Sequence, residues 1–354
     1  DSTDSDLVGS AELNEFLGID GSGTTVAIVD SGVWSGHPAF AGKVVLEACS
    51  AVWAADCPTS GGGTSTFSIG PGTATPTPSP GCGGASDHGT HVAGIAAGVS
   101  VPVGSAPAGS SATAPPVEWS AGVAPGADIA AIRAWTGGWC TMSPYDPVLA
   151  SDTWLAAFQI ALWVADGENI VSANMSYGAK PDPGYSVACD TLNTSTALAK
   201  IAIDALISIN VAPITSSGNT GYRNAVGFPA CVSSAISVGN TTKNDNVSNS
   251  SNFQTTLVDI QAPGSAIVAA ARSGSAGALN YEGKSGTSMA APHVAGAWAL
   301  IREVYPGMNV ASVLNLLQST GVPVADTRPG GSGLSIPRID LQAALPNFTK
   351  GLPA

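Results

Sequence analysis

Three residues of this 354-residue chain stand in settings suited to chemistry: an aspartate, a histidine and a serine. Asp30 closes the apolar run Val26-Ala-Ile-Val and precedes Ser31-Gly32. His88 opens the small-residue segment His88-Gly-Thr-His-Val-Ala-Gly, and Ser288 lies in Gly286-Thr-Ser-Met-Ala-Ala-Pro. A serine hydroxyl is a poor nucleophile near neutral pH until a positioned base takes its proton. An imidazole is such a base, and a buried carboxylate can orient it and stabilise its charged form. Taken singly, each residue has a commoner explanation. A strand-end Asp can cap a turn, and a Ser before a helix can be a mere N-cap. Their joint occurrence outweighs those explanations. An imidazole base places activity from near neutral into the alkaline range rather than in acid.

Those residues need elements to position them. Short apolar runs alternate with helical patterns along the chain. Strands are expected at Thr25–Asp30, Asp128–Ala134, Asn169–Ser176, Val211–Ser217, Ala235–Gly239, Leu257–Gln261 and Ala266–Ala271. Several are apolar at consecutive positions, the pattern of parallel strands covered on both faces. Helices are expected at His88–Gly98, Thr153–Ala165, Asn193–Ser208, Ser288–Val304 and Val310–Gln318. Ser151 and Asp152 offer an N-cap, with Trp154, Leu155, Phe158, Leu162 and Trp163 as the apolar stripe behind it. This alternation predicts a three-layer, doubly wound α/β fold: a mostly parallel sheet flanked by helices. Asp30 then falls at the carboxyl end of a buried strand, where sites gather in such sheets. Residues 1–354 read as one domain. Segments 59–84 and 100–116, rich in Gly, Pro, Ser and Thr, are expected as surface-loop insertions, and 341–354 as a closing tail.

The order Asp, His, Ser with these flanking residues resembles the subtilisin-like serine peptidases (subtilases) over about residues 20–320. The resemblance implies a catalytic triad of Asp30, His88 and Ser288, and a structural role for His91. Val211-Ala-Pro-Ile-Thr-Ser-Ser-Gly-Asn219 resembles the segment supplying the oxyanion donor, so Asn219 and the Ser288 backbone N–H are assigned to that hole. Asn174-Met-Ser-Tyr-Gly resembles the strand that pairs with an extended substrate. Ser176, Tyr177 and Gly178 become one wall of the S1 pocket, Ser216, Ser217 and Gly218 the other, and Gly227 its floor. A glycine floor without an acid in these segments implies large apolar P1 side chains in preference to Lys or Arg. Residues 135–143, with Trp135 and Trp139, are assigned to S4. The resemblance also implies protein or peptide substrates, a zymogen with a cleaved N-terminal propeptide, and a monomer. No cofactor is needed for the chemistry. Structural calcium is common in the family, but Ser100–Pro116 contains no Asp or Glu, so its strong loop site is expected to be absent or altered, leaving room for a weak site elsewhere.

Composition narrows the partners. Hydrophobic residues make up 44% of the chain, enough for a large core, while only 10% are charged. With 12 basic and 25 acidic residues the net charge is −13, which disfavours nucleic acid. No apolar run reaches the roughly 18 residues of a membrane span. The chain opens without a Met, basic patch or apolar stretch, as expected if a signal peptide is absent or already removed. Six cysteines, at 49, 57, 82, 140, 189 and 231, include no C-x-x-C pair, so disulfides are favoured over zinc or buried thiols. Disulfides imply an oxidising compartment and hence secretion. Cys189–Cys231 would close a loop of about 43 residues and contribute about 4 kcal/mol in the chain-entropy picture. Cys49–Cys57 would close a short loop, leaving Cys82 with Cys140.

Overall fold

Strand β1 (Thr25–Asp30) is buried along its whole length because its alternate residues enter two different cores. Val26 and Ile28 join one, Ala27 and Val29 the other. The computed structural model describes residues 7–50, 57–59, 62–76, 87–101, 121–134, 147–179, 182, 184–273 and 278–346.

The strands that follow are β2 (Val44–Ser50), β3 (Cys57–Pro58), β4 (Thr64–Ser65), β5 (Phe67–Ile69), β6 (Asp128–Arg133), β7 (Ile170–Met175) and β8 (Ala212–Ser216). After them come β9 (Ile236–Thr241), β10 (Ile260–Pro263), β11 (Ile267–Ser273), β12 (Ala278–Lys284), β13 (Val322–Ala325) and β14 (Ser335–Arg338). The α-helices are α1 (Ser10–Leu17), α2 (His88–Ala97), α3 (Pro147–Ala165), α4 (Thr194–Ser208), α5 (Thr287–Val304), α6 (Val310–Thr320) and α7 (Leu341–Ala344).

Among the described residues the main sheet runs β13-β14-β10-β9-β8-β7-β1-β6-β2-β5. Every pairing from β14 across to β2 is parallel, and only the two edge pairs are antiparallel. Residues of α2, α5 and α6 pack on one face and residues of α3 and α4 on the other. This is the expected three-layer α/β fold. The strand order reverses beside β1: β6 and β2 lie on one flank, β7 to β10 in succession on the other. A crevice opens at the carboxyl ends of the strands at such a switch point. Asp30 and the residues after Met175 stand there.

Two expectations are corrected and two are refined. Residues 266–271 were expected in the buried parallel sheet, but β11 pairs antiparallel with β12 in a separate hairpin. Its alanines are buried because α2 lies on them: a Cβ on Gly94 would come 3.1 Å from the Ala270 nitrogen. Helix α3 starts at Pro147, so Ser151 is inside it, and the expected stripe largely faces outward. Trp154, Phe158 and Leu162 are 42%, 50% and 42% exposed, while Ala156, Ala157, Ile160 and Trp163 are buried. The inward-facing residues are mainly alanines, with Ile160 and Trp163, and they join the second core. Within 59–84, β5 extends the sheet edge beside β2, and Ala74 is fully buried with its carbonyl accepting from Val33 N at 3.0 Å. Residues 62–72 otherwise stay largely at the surface, with only Thr73, Ala74 and Pro76 turned inward. Finally, the closing segment contributes Leu341 and Leu345 to a core.

Two expected disulfides, Cys49–Cys57 and Cys189–Cys231, are formed. Cys82, Cys140, Trp135, Trp139 and nearly all of 100–116 lie outside the described residues.

Candidate active site

The Asp30 carboxylate is sealed from solvent at the end of β1. Burying a charge there requires donors. Ser31 N donates to Oδ1 at 2.7 Å, and His88 Nδ1 lies 2.9 Å from Oδ1 and 3.0 Å from Oδ2. The ring is brought this close by glycine. A Cβ on Gly89 would fall 2.2 Å from the Gly32 carbonyl oxygen and 3.0 Å from Asp30 Cβ. Gly89 N is in turn fixed by Ser31 Oγ at 3.0 Å. The His88 side chain stays 16% exposed while Asp30 is at 0%, so the imidazole reaches the cleft and its partner does not.

Four histidines offer a comparison. His37 Nε2 meets Asn280 O at 3.0 Å, His91 Nε2 meets Glu282 O at 2.8 Å, and His293 Nδ1 meets Met289 O at 2.8 Å. Each can only donate to its carbonyl. Burial pushes His91 down to about 3 and His293 down to about 4, so both are neutral structural rings. Among the described residues only His88 faces a carboxylate.

Ser288 lies in the first turn of α5, on the opposite side of the crevice. Helix α5 crosses α2 closely because a Cβ on Gly296 would come 2.7 Å from the Ala96 carbonyl oxygen and 2.7 Å from Val123 Cβ. Ser172 Oγ ties β7 to the Ala295 carbonyl at 3.1 Å, and Ser176 Oγ donates to Ser288 O at 2.9 Å. Ser288 Oγ donates to Ser176 O at 3.2 Å, so its proton must turn from that carbonyl to the imidazole for the hydroxyl to react. Catalytic hydrogen bonds commonly tighten only when substrate binds.

Asn219 sits beside this turn. Its Oδ1 accepts from Thr287 N at 2.9 Å and from Thr287 Oγ1 at 3.2 Å. An N–H must face an acceptor, so this contact fixes the amide's orientation and leaves Nδ2 as the outward donor. Ser288 N–H lies among the first helical N–H groups, which have no carbonyl one turn back. Two donors thus flank the hydroxyl.

The expected pocket residues come together. Gly227 N donates to Ser217 O at 2.8 Å, Ala179 N to Phe228 O at 3.2 Å, and Ser216 Oγ to Tyr177 O at 3.5 Å. Segments 176–178 and 216–218 therefore face each other with Gly227 between them. Tyr177 contributes only backbone: its ring is in the second core and its hydroxyl meets Thr153 Oγ1 at 2.8 Å.

The subtilase family model matches residues 21–335. This chain belongs to the subtilase family. It is 31% identical over 309 residues to thermitase of Thermoactinomyces vulgaris, covering 87% of this chain and 84% of that protein. An extracellular protease of Xanthomonas campestris is 29% identical over 327 residues, covering 90% of this chain. The chain spans about half (51%) of the length of that Xanthomonas protein. Among solved structures, a protease from Pseudoalteromonas arctica PAMC 21717 shares the fold with a TM-score of 0.67 at 22% identity, covering 92% of this chain and 90% of that one.

Two residues of this subtilase's cleft escaped the sequence reading. Asn252 is fully buried, and all four of its amide hydrogen-bonding positions are used. Its Oδ1 accepts from Thr220 N and Tyr222 N, both at 3.1 Å, while Nδ2 donates to Ser217 O at 3.1 Å and Asp182 Oδ2 at 2.8 Å. It staples the segment that carries Asn219. Asp182 overturns the premise that no acid lines the pocket: its Oδ2 lies 2.9 Å from the position of a Cβ on Gly227. Nothing in the sequence around Asp182 says what it faces. For calcium, no three His, Cys, Asp or Glu side chains converge on one point among the described residues.

Proposed function

We propose that this subtilase is an extracellular serine endopeptidase that cuts unfolded or extended polypeptides through an acyl-enzyme formed on Ser288. The observation that carries the reading is the sealed Asp30 carboxylate gripping His88 Nδ1, which leaves Nε2 to face the cleft as an acceptor. Ser288 Oγ attacks the scissile carbonyl while His88 Nε2 takes its proton. Asp30 holds the tautomer and stabilises the imidazolium. The oxyanion is met by Asn219 Nδ2 and Ser288 N–H, donors fixed before the charge develops. His88 then protonates the leaving amine, and water enters by the reverse relay to free the acyl group. These groups supply nucleophile, base and acid, so the reading needs no cofactor.

Substrate would add as an extended strand between 176–178 and 216–218, a pairing that tolerates many sequences and leaves selection to pockets. The preference for a large apolar P1 side chain rested on a pocket without an acid, and Asp182 removes that support. Two disulfides and the kinship to extracellular proteases support secretion. Among the described residues no helix is long and apolar enough to cross a membrane. The reading further comprises a propeptide cleaved from the N-terminal side, a monomeric enzyme, and no nucleic-acid partner.

Digestion of reduced, unfolded casein tests it. The wild-type protein should release peptides that the Ser288→Ala variant does not. Hydrolysis of nitrophenyl esters without any casein cleavage would replace the reading with an esterase. Inertness toward both would replace it with a binding module on an inherited fold.

A further inference from the structure

The expected floor of the S1 pocket is already occupied, and by a charge. A Cβ built on Gly227 would lie 2.9 Å from Asp182 Oδ2 and 3.3 Å from Oδ1, and a Cβ on Gly218 would lie 2.8 Å from the same Oδ2. Both glycines therefore make room for the Asp182 carboxylate, not for a bulky substrate ring. The side chain is held in place from several directions. Gly184 N donates to Oδ1 at 3.0 Å, and Oδ2 accepts from Asn252 Nδ2 at 2.8 Å and Thr220 Oγ1 at 3.2 Å. Tyr222 OH pins the Asp182 backbone carbonyl at 2.8 Å.

All of those donors are neutral. Among the described residues no Lys or Arg forms an ion pair with Asp182, in contrast to Asp87, Asp245 and Asp326, each of which has one. A carboxylate has about four acceptor positions, and three donors reach this one. It is thus a half-buried carboxylate, hydrogen-bonded beside Gly218 and Gly227 and still able to accept.

We propose that Asp182 selects lysine or arginine at P1, its carboxylate receiving the cationic end of the substrate side chain at the pocket floor. The inference rests on the endopeptidase reading and replaces the apolar P1 preference. An apolar P1 side chain must lie against an unneutralised carboxylate and gains nothing from it. A cation gains a charge-assisted hydrogen bond. Such a contact is worth about 10- to 100-fold in kcat/KM.

Four tetrapeptide p-nitroanilides that differ only in P1 (Lys, Arg, Phe, Leu) test the idea, with enzyme concentration fixed by phosphonate titration. The wild-type protein should favour Lys or Arg over Phe and Leu by at least about tenfold in kcat/KM. Asp182→Asn, nearly the same shape without the charge, should lower the ratio of kcat/KM on the cationic substrates to that on the Phe substrate by about tenfold or more. Preference for Phe or Leu in the wild type overturns the proposal whether or not the variant folds. An unchanged Lys-to-Phe ratio in a titratable Asp182→Asn overturns it too. Cleavage of none of the four substrates, with no phosphonate uptake, would instead bring down the endopeptidase reading beneath it.

Discussion

On the Asp30 side of the cleft, helix meets strand and helix meets helix through absent side chains. On the Gly227 side, loop meets loop through amide and carboxylate hydrogen bonds. Gly89 and Gly296 permit backbone approaches that any Cβ would block. Around the pocket, Asn252 and Asp182 draw together segments more than 30 residues apart in sequence, with Thr220 Oγ1 to Asp182 spanning 38 and Asn252 Nδ2 to Ser217 O spanning 35. The first kind of contact fixes distance and tolerates no added volume. The second fixes direction and can be loosened one bond at a time. The proposed chemistry follows that division: proton transfer needs a set distance, whereas substrate choice needs an adjustable lining.

Removing a reacting group should give the largest effect. Ser288→Ala or His88→Ala is expected to lower kcat by about 10⁶-fold, the magnitude known for the same losses in a subtilisin, with a circular dichroism spectrum like that of the parent. Residual activity within a hundredfold of wild type would break the triad half of the comparison. Asn219→Ala should lower kcat by about 10²–10³, again the magnitude known in this family, with KM little changed; a loss confined to KM would contradict its role as oxyanion donor.

The next pair contrasts the two halves directly. Gly89→Ala forces a methyl into the Gly32 carbonyl and should cost about 1–3 kcal/mol in urea unfolding. Its activity should fall further than its stability, since the same contact sets the His88–Asp30 distance. Asn252→Ala leaves Thr220 N and Tyr222 N without partners and should cost about 1–3 kcal/mol as well. Its kinetic loss should appear mainly in kcat through a loosened Asn219. Equal patterns in the two variants would erase the distinction drawn above.

The last effect concerns pH and leaves activity near neutrality in place. Burial, aided by Lys284, pushes the His91 ring from 6.5 down to about 3. The unfolded chain therefore takes up this proton first. The stability held by the neutral ring is complete above pH 6.5 and is lost as pH falls toward 3. His91→Gln keeps a donor for the Glu282 carbonyl and should flatten the dependence of unfolding free energy on pH between 6.5 and 4. An unchanged slope would show that His91 does not couple folding to protonation.

The sequence made the Asp30 half legible because its signals are local. An apolar run ending in Asp, a small-residue helix opening with His, and Gly-Thr-Ser before another helix each announce their element within a few residues. The α/β alternation followed for the same reason, since consecutive apolar residues mark strands covered on both faces. Asp182 and Asn252 were invisible because nothing in Pro181–Gly184 or Ser251–Phe253 says what lies across from them. Tyr177 turns its ring into the second core, a direction its place in the motif does not announce. In α3 the large residues Trp154, Phe158 and Leu162 suggested the wrong inner face. Alanine takes much of the inner face there, which hydrophobicity alone does not reveal.

The central claim is that the His88 imidazole, held by Asp30, makes the Ser288 hydroxyl a nucleophile. Intact-mass measurement after exposure to a serine-directed fluorophosphonate tests this most directly. One adduct per molecule is expected, mapped by peptide sequencing to Ser288 and absent from His88→Ala over the same exposure. No adduct, or an adduct on another residue, would contradict the account.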